Sequence, residues 1–164
     1  MKKIILFVLL LSMPFGLIAQ KITINKIDDF TGAKIFETSW VDVFELISFQ
    51  INKTDDKTFL NSIFYSSSTP YTAHEEDELL LKLEGDEIIT LKNLKTTTSG
   101  LYGSGMTSHF SLPTSYILSK EQIDKLKTTK IIKVRLYYGD KYYEETTKEK
   151  NQSKLLKMFN LLQL

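Results

Sequence analysis

The sequence contains no cysteine, and this absence excludes several classes of protein. Without thiols there can be no disulfide scaffold, no thiol catalysis, no zinc site with Cys ligands and no lipid-modified N-terminal cysteine. Histidine is almost as scarce, since the 164 residues hold only His74 and His109. A hydroxyl nucleophile that needs an imidazole base could therefore be activated at only two places in the chain.

Arginine is also nearly absent: among the 21 basic residues, Arg135 is the single arginine. Bidentate recognition of phosphate and guanine depends on arginine, and no basic stripe runs along the chain, so we expect no nucleic-acid partner. Acidic residues number 20, which nearly cancels the positive charge. With 42% hydrophobic residues, the composition is that of an ordinary globular protein.

The N-terminus has the three parts of a secretory signal. Lys2 and Lys3 precede an apolar stretch over residues 4–18, and Ala19 supplies the small residue at a cleavage site. The alternative is a retained membrane anchor, but that stretch is shorter than the roughly 20 residues of a spanning helix. We predict a signal peptide over residues 1–19, one domain over residues 20–164, and export to the periplasm or exterior without an integral membrane segment after cleavage.

Alternating apolar and polar residues predict strands through most of the mature chain. Polar turns at residues 52–56 and at Gly139-Asp140 each separate two such runs, which is typical of hairpins. Ser119 and Gln122 have the spacing of a capping box, and apolar residues from Leu155 to Leu162 follow a helical period. We therefore predict an α+β fold, with a mainly antiparallel sheet of about six to eight strands and two helices.

Two registers compete in the hairpin over residues 79–94. Gly85-Asp86 favours a two-residue turn, which would mix polar and apolar residues on each face. A three-residue loop instead places five apolar side chains on one face: Leu79, Leu81, Leu83, Ile89 and Leu91. A slip of one residue exchanges the two faces of a strand, so the apolar pattern is the stronger constraint and predicts the three-residue loop.

Two parts of the chain resemble small exported bacterial proteins of unknown function. The first is the segment DDFTGAK at residues 28–34, followed by Thr38 and Trp40. The second is the C-terminal succession of Tyr116-Ile117-Leu118, a helix, a strand with Val134-Arg135, a Gly139-Asp140 turn and a last helix. The resemblance implies an exported, single-domain α+β protein and brings no catalytic residues with it.

Residues 96–108 read as a long, structureless, Gly-containing connector, and such loops are enriched in function. It carries Tyr102 and ends beside His109, with Ser108 adjacent. No nucleophile-elbow or phosphate-binding pattern accompanies them, so a mobile connector is the favoured interpretation. The acidic run at residues 74–78 lacks the ligand spacing of a Ca²⁺ loop and is interpreted as a solvated loop. We assign no catalytic residue, no metal site and no cofactor.

The hairpin around Gly139-Asp140 points Tyr137 and Tyr142 outward, with Arg135 opposite Glu144. Exposed tyrosines are enriched at interfaces, but they are equally ordinary as cross-strand stabilisers.

These patterns favour an exported, non-enzymatic binding module of the bacterial envelope that contacts a protein or another envelope component. Its candidate binding residues are Tyr102, His109, Tyr137 and Tyr142. Two alternatives stay open: a hydrolase with a site near residues 96–109, and a structural envelope component.

Overall fold

A computed structural model describes residues 21–43, 45–66, 69–102 and 109–163, so the predicted signal peptide lies outside the described residues. Over these ranges the chain forms strands and two helices. The strands are β1 (Ile22–Ile27), β2 (Lys34–Thr38), β3 (Val41–Asp42), β4 (Ile47–Thr54), β5 (Lys57–Ser66), β6 (Thr72–Ala73), β7 (Glu78–Leu83), β8 (Ile88–Lys92), β9 (Thr97–Thr98), β10 (Gly100–Tyr102), β11 (His109–Leu118), β12 (Ile131–Tyr138) and β13 (Lys141–Thr146). The helices are α1 (Lys120–Thr128) and α2 (Glu149–Asn160), and a 3₁₀ turn (Leu161–Gln163) follows α2.

The strands of the described ranges are divided among three sheets. The large sheet has the order β1-β2-β4-β5-β11-β10, with β3 also paired to β4. The small sheet has the order β13-β12-β7-β8, and β6 pairs with β9. Antiparallel pairing and two helices confirm the α+β prediction, but a single sheet of six to eight strands is wrong. The partition depends on pairings between distant strands, such as β5 with β11, which local alternation does not encode.

One hydrophobic core lies between the large and small sheets. Phe64 of β5 bridges them, because its ring centroid lies 5.4 Å from that of Tyr138 and 5.1 Å from that of Tyr143, both on the small sheet. A third ring, Tyr71, lies 5.9 Å away. Every second residue of β5 and β7 is buried against this core, as strand alternation requires.

The competing registers of the β7–β8 hairpin are settled in favour of the apolar pattern. Leu79 pairs with Leu91 and Leu81 with Ile89, and the amide of Leu83 donates to the carbonyl oxygen of Glu87 at 2.8 Å. The loop is therefore three residues long, as predicted.

Both predicted helices are present with the expected ends. The Ser119 hydroxyl accepts from the amide of Gln122 at 3.2 Å, and the Gln122 side chain accepts from the amide of Ser119 at 2.9 Å, which completes the capping box. Leu155, Met158 and Phe159 of α2 are buried in the core. Within the described ranges, neither helix has the length and apolar character needed to cross a membrane.

The prediction of a structureless connector over residues 96–108 is wrong for its first half. Thr97–Thr98 pairs with β6, and Gly100–Tyr102 pairs with β11 at the edge of the large sheet. The amide of Ser99 donates to the carbonyl oxygen of Tyr71 at 2.8 Å. Partners in β6, at Tyr71 and in β11 thus order a segment whose own residues carry no strand period. Residues 103–108 lie outside the described residues.

Thr147, just before α2, is buried with 3% of its surface exposed, and its hydroxyl oxygen has no hydrogen-bond partner among the described residues. A buried hydroxyl without a partner is destabilising. We expect Thr147→Val, which keeps the shape, to raise the free energy of unfolding by up to about 1 kcal/mol in urea denaturation. Thr147→Ser keeps the hydroxyl and loses the methyl group, so it should be destabilised. A clear loss of stability in Thr147→Val would show that the Thr147 hydroxyl does have a hydrogen-bond partner.

Candidate functional site

The hairpin of β12 and β13 places its aromatic and charged side chains as predicted. Tyr137 pairs with Tyr142, and Arg135 pairs with Glu144. Successive residues of a strand point to opposite faces, so these four side chains share the outer face of the small sheet, while Tyr143 joins the core.

Arg135 lies against both tyrosine rings. Its Cζ atom is 4.7 Å from the ring centroid of Tyr142 and 6.0 Å from that of Tyr137. The two ring centroids are 5.7 Å apart, and Nη1 of Arg135 donates to the phenol oxygen of Tyr137 at 3.1 Å. A guanidinium over a tyrosine ring within about 6 Å makes a favourable cation–π contact. We call Arg135, Tyr137 and Tyr142 the tyrosine–arginine face.

Glu144 holds this arrangement in place from the neighbouring strand. Its carboxylate forms an ion pair with Lys133 and accepts a hydrogen bond from Nε of Arg135 at 2.7 Å. Hydrogen bonds from Lys133 and then Arg135 hold the pKa of Glu144 below its usual value. Bonds to Tyr137 and then Glu144 raise the pKa of Arg135, so the guanidinium stays charged. One carboxylate against two cations leaves this part of the sheet locally positive.

The outer face of the small sheet is open around these residues. Tyr142 is 56% exposed and Ile88, on the edge strand β8, is 55% exposed. Leu80 lies opposite Arg135 on β7 and is half-buried. Exposure of this extent means that neither described helix covers the ring of Tyr142. Aromatic, aliphatic and positively charged side chains therefore share one exposed sheet face, with Leu80 next to Arg135 and Ile88 on the edge opposite Tyr142.

The other two predicted binding residues also lie opposite each other, but at the edge of the large sheet. Tyr102 pairs with His109, and the Tyr102 ring centroid is 6.3 Å from that of Tyr65 on the same outer face. Tyr102 is 64% exposed and its neighbour Leu101 is 67% exposed. Burial, and next the nearby Tyr102 phenol, raise the pKa of Tyr65. The four predicted residues thus form two pairs on different sheets, and we call Tyr102 and His109 the edge pair.

No described residue completes a hydrolytic site at the edge pair. Among the described side chains, none forms a hydrogen bond or ion pair with the imidazole of His109. Ser108, the adjacent candidate nucleophile, lies outside the described residues. Likewise, the described ranges contain no cluster of three or more His, Asp or Glu side chains that could hold a metal ion.

Asp77 has a positioning role that the sequence interpretation of residues 74–78 missed. Its Oδ2 atom accepts from the amide of His74 and from the amide of Gly139, both at 2.8 Å. Gly139 has φ = +62°, a left-handed conformation that favours glycine. Asp77 therefore ties the acidic loop to the turn that carries Tyr137 and Tyr142. The position of Asp77 three residues after His74 is typical of a turn and indicates its bond to the His74 amide. No pattern in the nearby sequence indicates its bond to the Gly139 amide.

A cleft of about 650 Å³ is also present, and no sequence pattern predicts it. Strands β1, β2 and β4 form one side and the 3₁₀ turn after α2 forms the other. Charged residues Lys34, Lys53, Asp55 and Asp56 line it together with apolar Phe36 and Leu162. These residues come from both ends of the chain, so only the tertiary fold brings them together.

Comparison with protein-family models, with curated proteins and with solved structures found no match to this chain.

Proposed function

We propose that this chain is an exported, non-enzymatic module of the bacterial envelope that binds another protein through the tyrosine–arginine face. The observation that carries the proposal is the guanidinium of Arg135 held 4.7 Å from the ring centroid of a tyrosine, Tyr142, that remains 56% exposed. Export is supported by the predicted signal peptide over residues 1–19 and by the resemblance to small exported bacterial proteins.

The geometry favours binding because it lowers the cost of association. Ordering a side chain at an interface costs about 0.5–1.5 kcal/mol, and Arg135, Tyr137 and Tyr142 already constrain one another through ring contacts and a hydrogen bond. Tyrosine and arginine are also the residue types enriched at binding hot spots. The exposed sheet face, with Leu80 next to Arg135, presents aromatic, aliphatic and arginine side chains together, a combination that is typical of protein interfaces.

The local charge favours a neutral or acidic contact on the partner. Lys133 and Arg135 face the single carboxylate of Glu144, so an acidic side chain can approach the remaining donors of the guanidinium.

Affinity capture with site-specific variants tests this proposal. The protein, purified after expression of the complete chain, is immobilised and exposed to an envelope extract, and each captured protein is then titrated in purified form. We expect Tyr142→Ala to weaken binding of the captured partner by about 10- to 100-fold, because truncating a hot-spot residue costs about 1.4–2.8 kcal/mol.

Tyr102→Ala is the matched control, because Tyr102 is a similarly exposed tyrosine on the large sheet. It should bind as the parent does, and both variants should unfold at the parent temperature. If Tyr142→Ala and Tyr137→Ala still bind the captured partner with parental affinity, the tyrosine–arginine face is not the contact surface. A partner lost only in Tyr102→Ala would move the surface to the edge pair.

A further inference from the structure

The floor of the cleft is one row of side chains across three strands of the large sheet. Phe36 of β2 pairs with Asn25 of β1 and with Lys53 of β4, so the three share a face. The next residues on that face, Thr38 and Ile51, are fully buried in the core. The floor therefore lies where the inner face of the sheet continues beyond the core, and this leaves the ring of Phe36 only half-buried.

The opposite wall is apolar and comes from the C-terminal end of the fold. Leu161 and Leu162 line the cleft, and Leu162 also packs against the core. The side-chain amide of Asn160 donates to the carbonyl oxygen of Lys127 at 3.0 Å, which ties the end of α2 to α1. The cleft therefore has a phenyl ring on one side and leucine side chains on the other.

Four charged side chains line the same cleft without pairing to each other. Within the described residues, no ion pair joins Lys34 or Lys53 to Asp55 or Asp56, although all four border one space. Their formal charges cancel. We call these four side chains the rim of the cleft. The rim offers separate positive and negative groups to a ligand and has little net attraction for a simple anion or cation.

The acidic part of the rim is held in a fixed position. The amide of Lys34 donates to Oδ1 of Asp55 at 2.9 Å, and the amide of Asp55 donates to the carbonyl oxygen of Lys34 at 3.0 Å. Asp55 has φ = +51°, so the turn between β4 and β5 is a tight one. Both bonds fasten this turn to the start of β2, and no described side chain forms an ion pair with Asp55 or Asp56 in the cleft.

We propose that this cleft binds a short peptide with free termini and apolar side chains. The ammonium group would contact the Asp55–Asp56 turn, the carboxylate would contact Lys34 and Lys53, and an apolar side chain would lie between Phe36 and the leucine wall. A volume of about 650 Å³ is within the usual range for small-molecule sites. This site is separate from the tyrosine–arginine face and does not depend on the proposed function.

Titration with the dipeptide Leu-Phe, followed by calorimetry and by backbone amide chemical shifts, tests the proposal. The protein is again purified after expression of the complete chain. We expect saturable binding, with shift changes at Phe36 and Leu162 and none at Tyr142. N-acetyl-Leu-Phe-amide lacks both terminal charges, so it should bind at least about tenfold more weakly.

Lys53→Gln should weaken Leu-Phe binding several-fold, because it removes one contact to the carboxylate and leaves the apolar floor unchanged. Lys26→Gln is the matched control: Lys26 lies on the edge strand β1 of the same sheet but does not line the cleft, so this variant should bind as the parent does. Absence of Leu-Phe binding to the folded parent protein, equal affinity for the capped dipeptide, or an equal effect of the two lysine substitutions would each overturn the proposal.

Discussion

Phe64→Ala should lower the free energy of unfolding by about 3–5 kcal/mol, the range for truncation of a buried phenylalanine. The side chain is 3% exposed and contacts the rings of Tyr71, Tyr138 and Tyr143. Tyr138 and Tyr143 belong to the small sheet and Tyr71 to the segment before β6, so they cannot close over a cavity on the large sheet without moving the two sheets. Urea denaturation followed by tryptophan fluorescence and circular dichroism measures the loss.

Phe30→Ala is the matched control, because Phe30 is 99% exposed at the tip of the β1–β2 hairpin. It should change stability by less than about 0.5 kcal/mol. Phe64→Leu should fall between the two. A loss of under about 1 kcal/mol in Phe64→Ala would contradict the bridging role of this ring between the large and small sheets.

Asn93→Ala should cost about 2–4 kcal/mol, although it removes only a small polar side chain. Asn93 is 1% exposed, and its side-chain amide donates to the carbonyl oxygens of His74 at 3.0 Å and Lys95 at 2.6 Å. Its Oδ1 atom accepts from the amide of Ser115 at 3.3 Å. Truncation would remove three hydrogen bonds to part-buried backbone groups in three segments, and each bond contributes about 0.5–1.5 kcal/mol.

Asn25→Ala, at an exposed strand position, should leave stability nearly unchanged in the same urea titration. Asn93→Asp keeps the acceptor but loses both donors and buries a charge, so it should be at least as unstable as Asn93→Ala at neutral pH. A loss in Asn93→Ala as small as that in Asn25→Ala would show that water satisfies these groups.

Local patterns determined much of this fold. The capping box at Ser119 and the helical period around Leu155 predict α1 and α2, because both signals lie within a few residues of the structure they form. The register of the β7–β8 hairpin follows from its apolar alternation. The pairing of Tyr137 with Tyr142 follows from the position of Gly139 in the turn.

The tertiary structure alone decided how the strands are shared among sheets. Residues 97–102 carry no strand period, yet they pair with β6 and β11, because an edge strand takes its order from its partner's backbone rather than from its own side chains. The same holds for Asn93 and Asp77, whose partners lie far away in the sequence.

The candidate sites divide in the same way. The tyrosine–arginine face follows from local sequence, because a hairpin brings Arg135, Tyr137 and Tyr142 together within eight residues of chain. The exposure of this face and the cleft lined by Phe36, Lys53 and Leu162 depend instead on how distant elements pack. Whether a surface is exposed or concave depends on which distant elements pack beside it. That packing is determined by the whole hydrophobic core and not by a local run of residues.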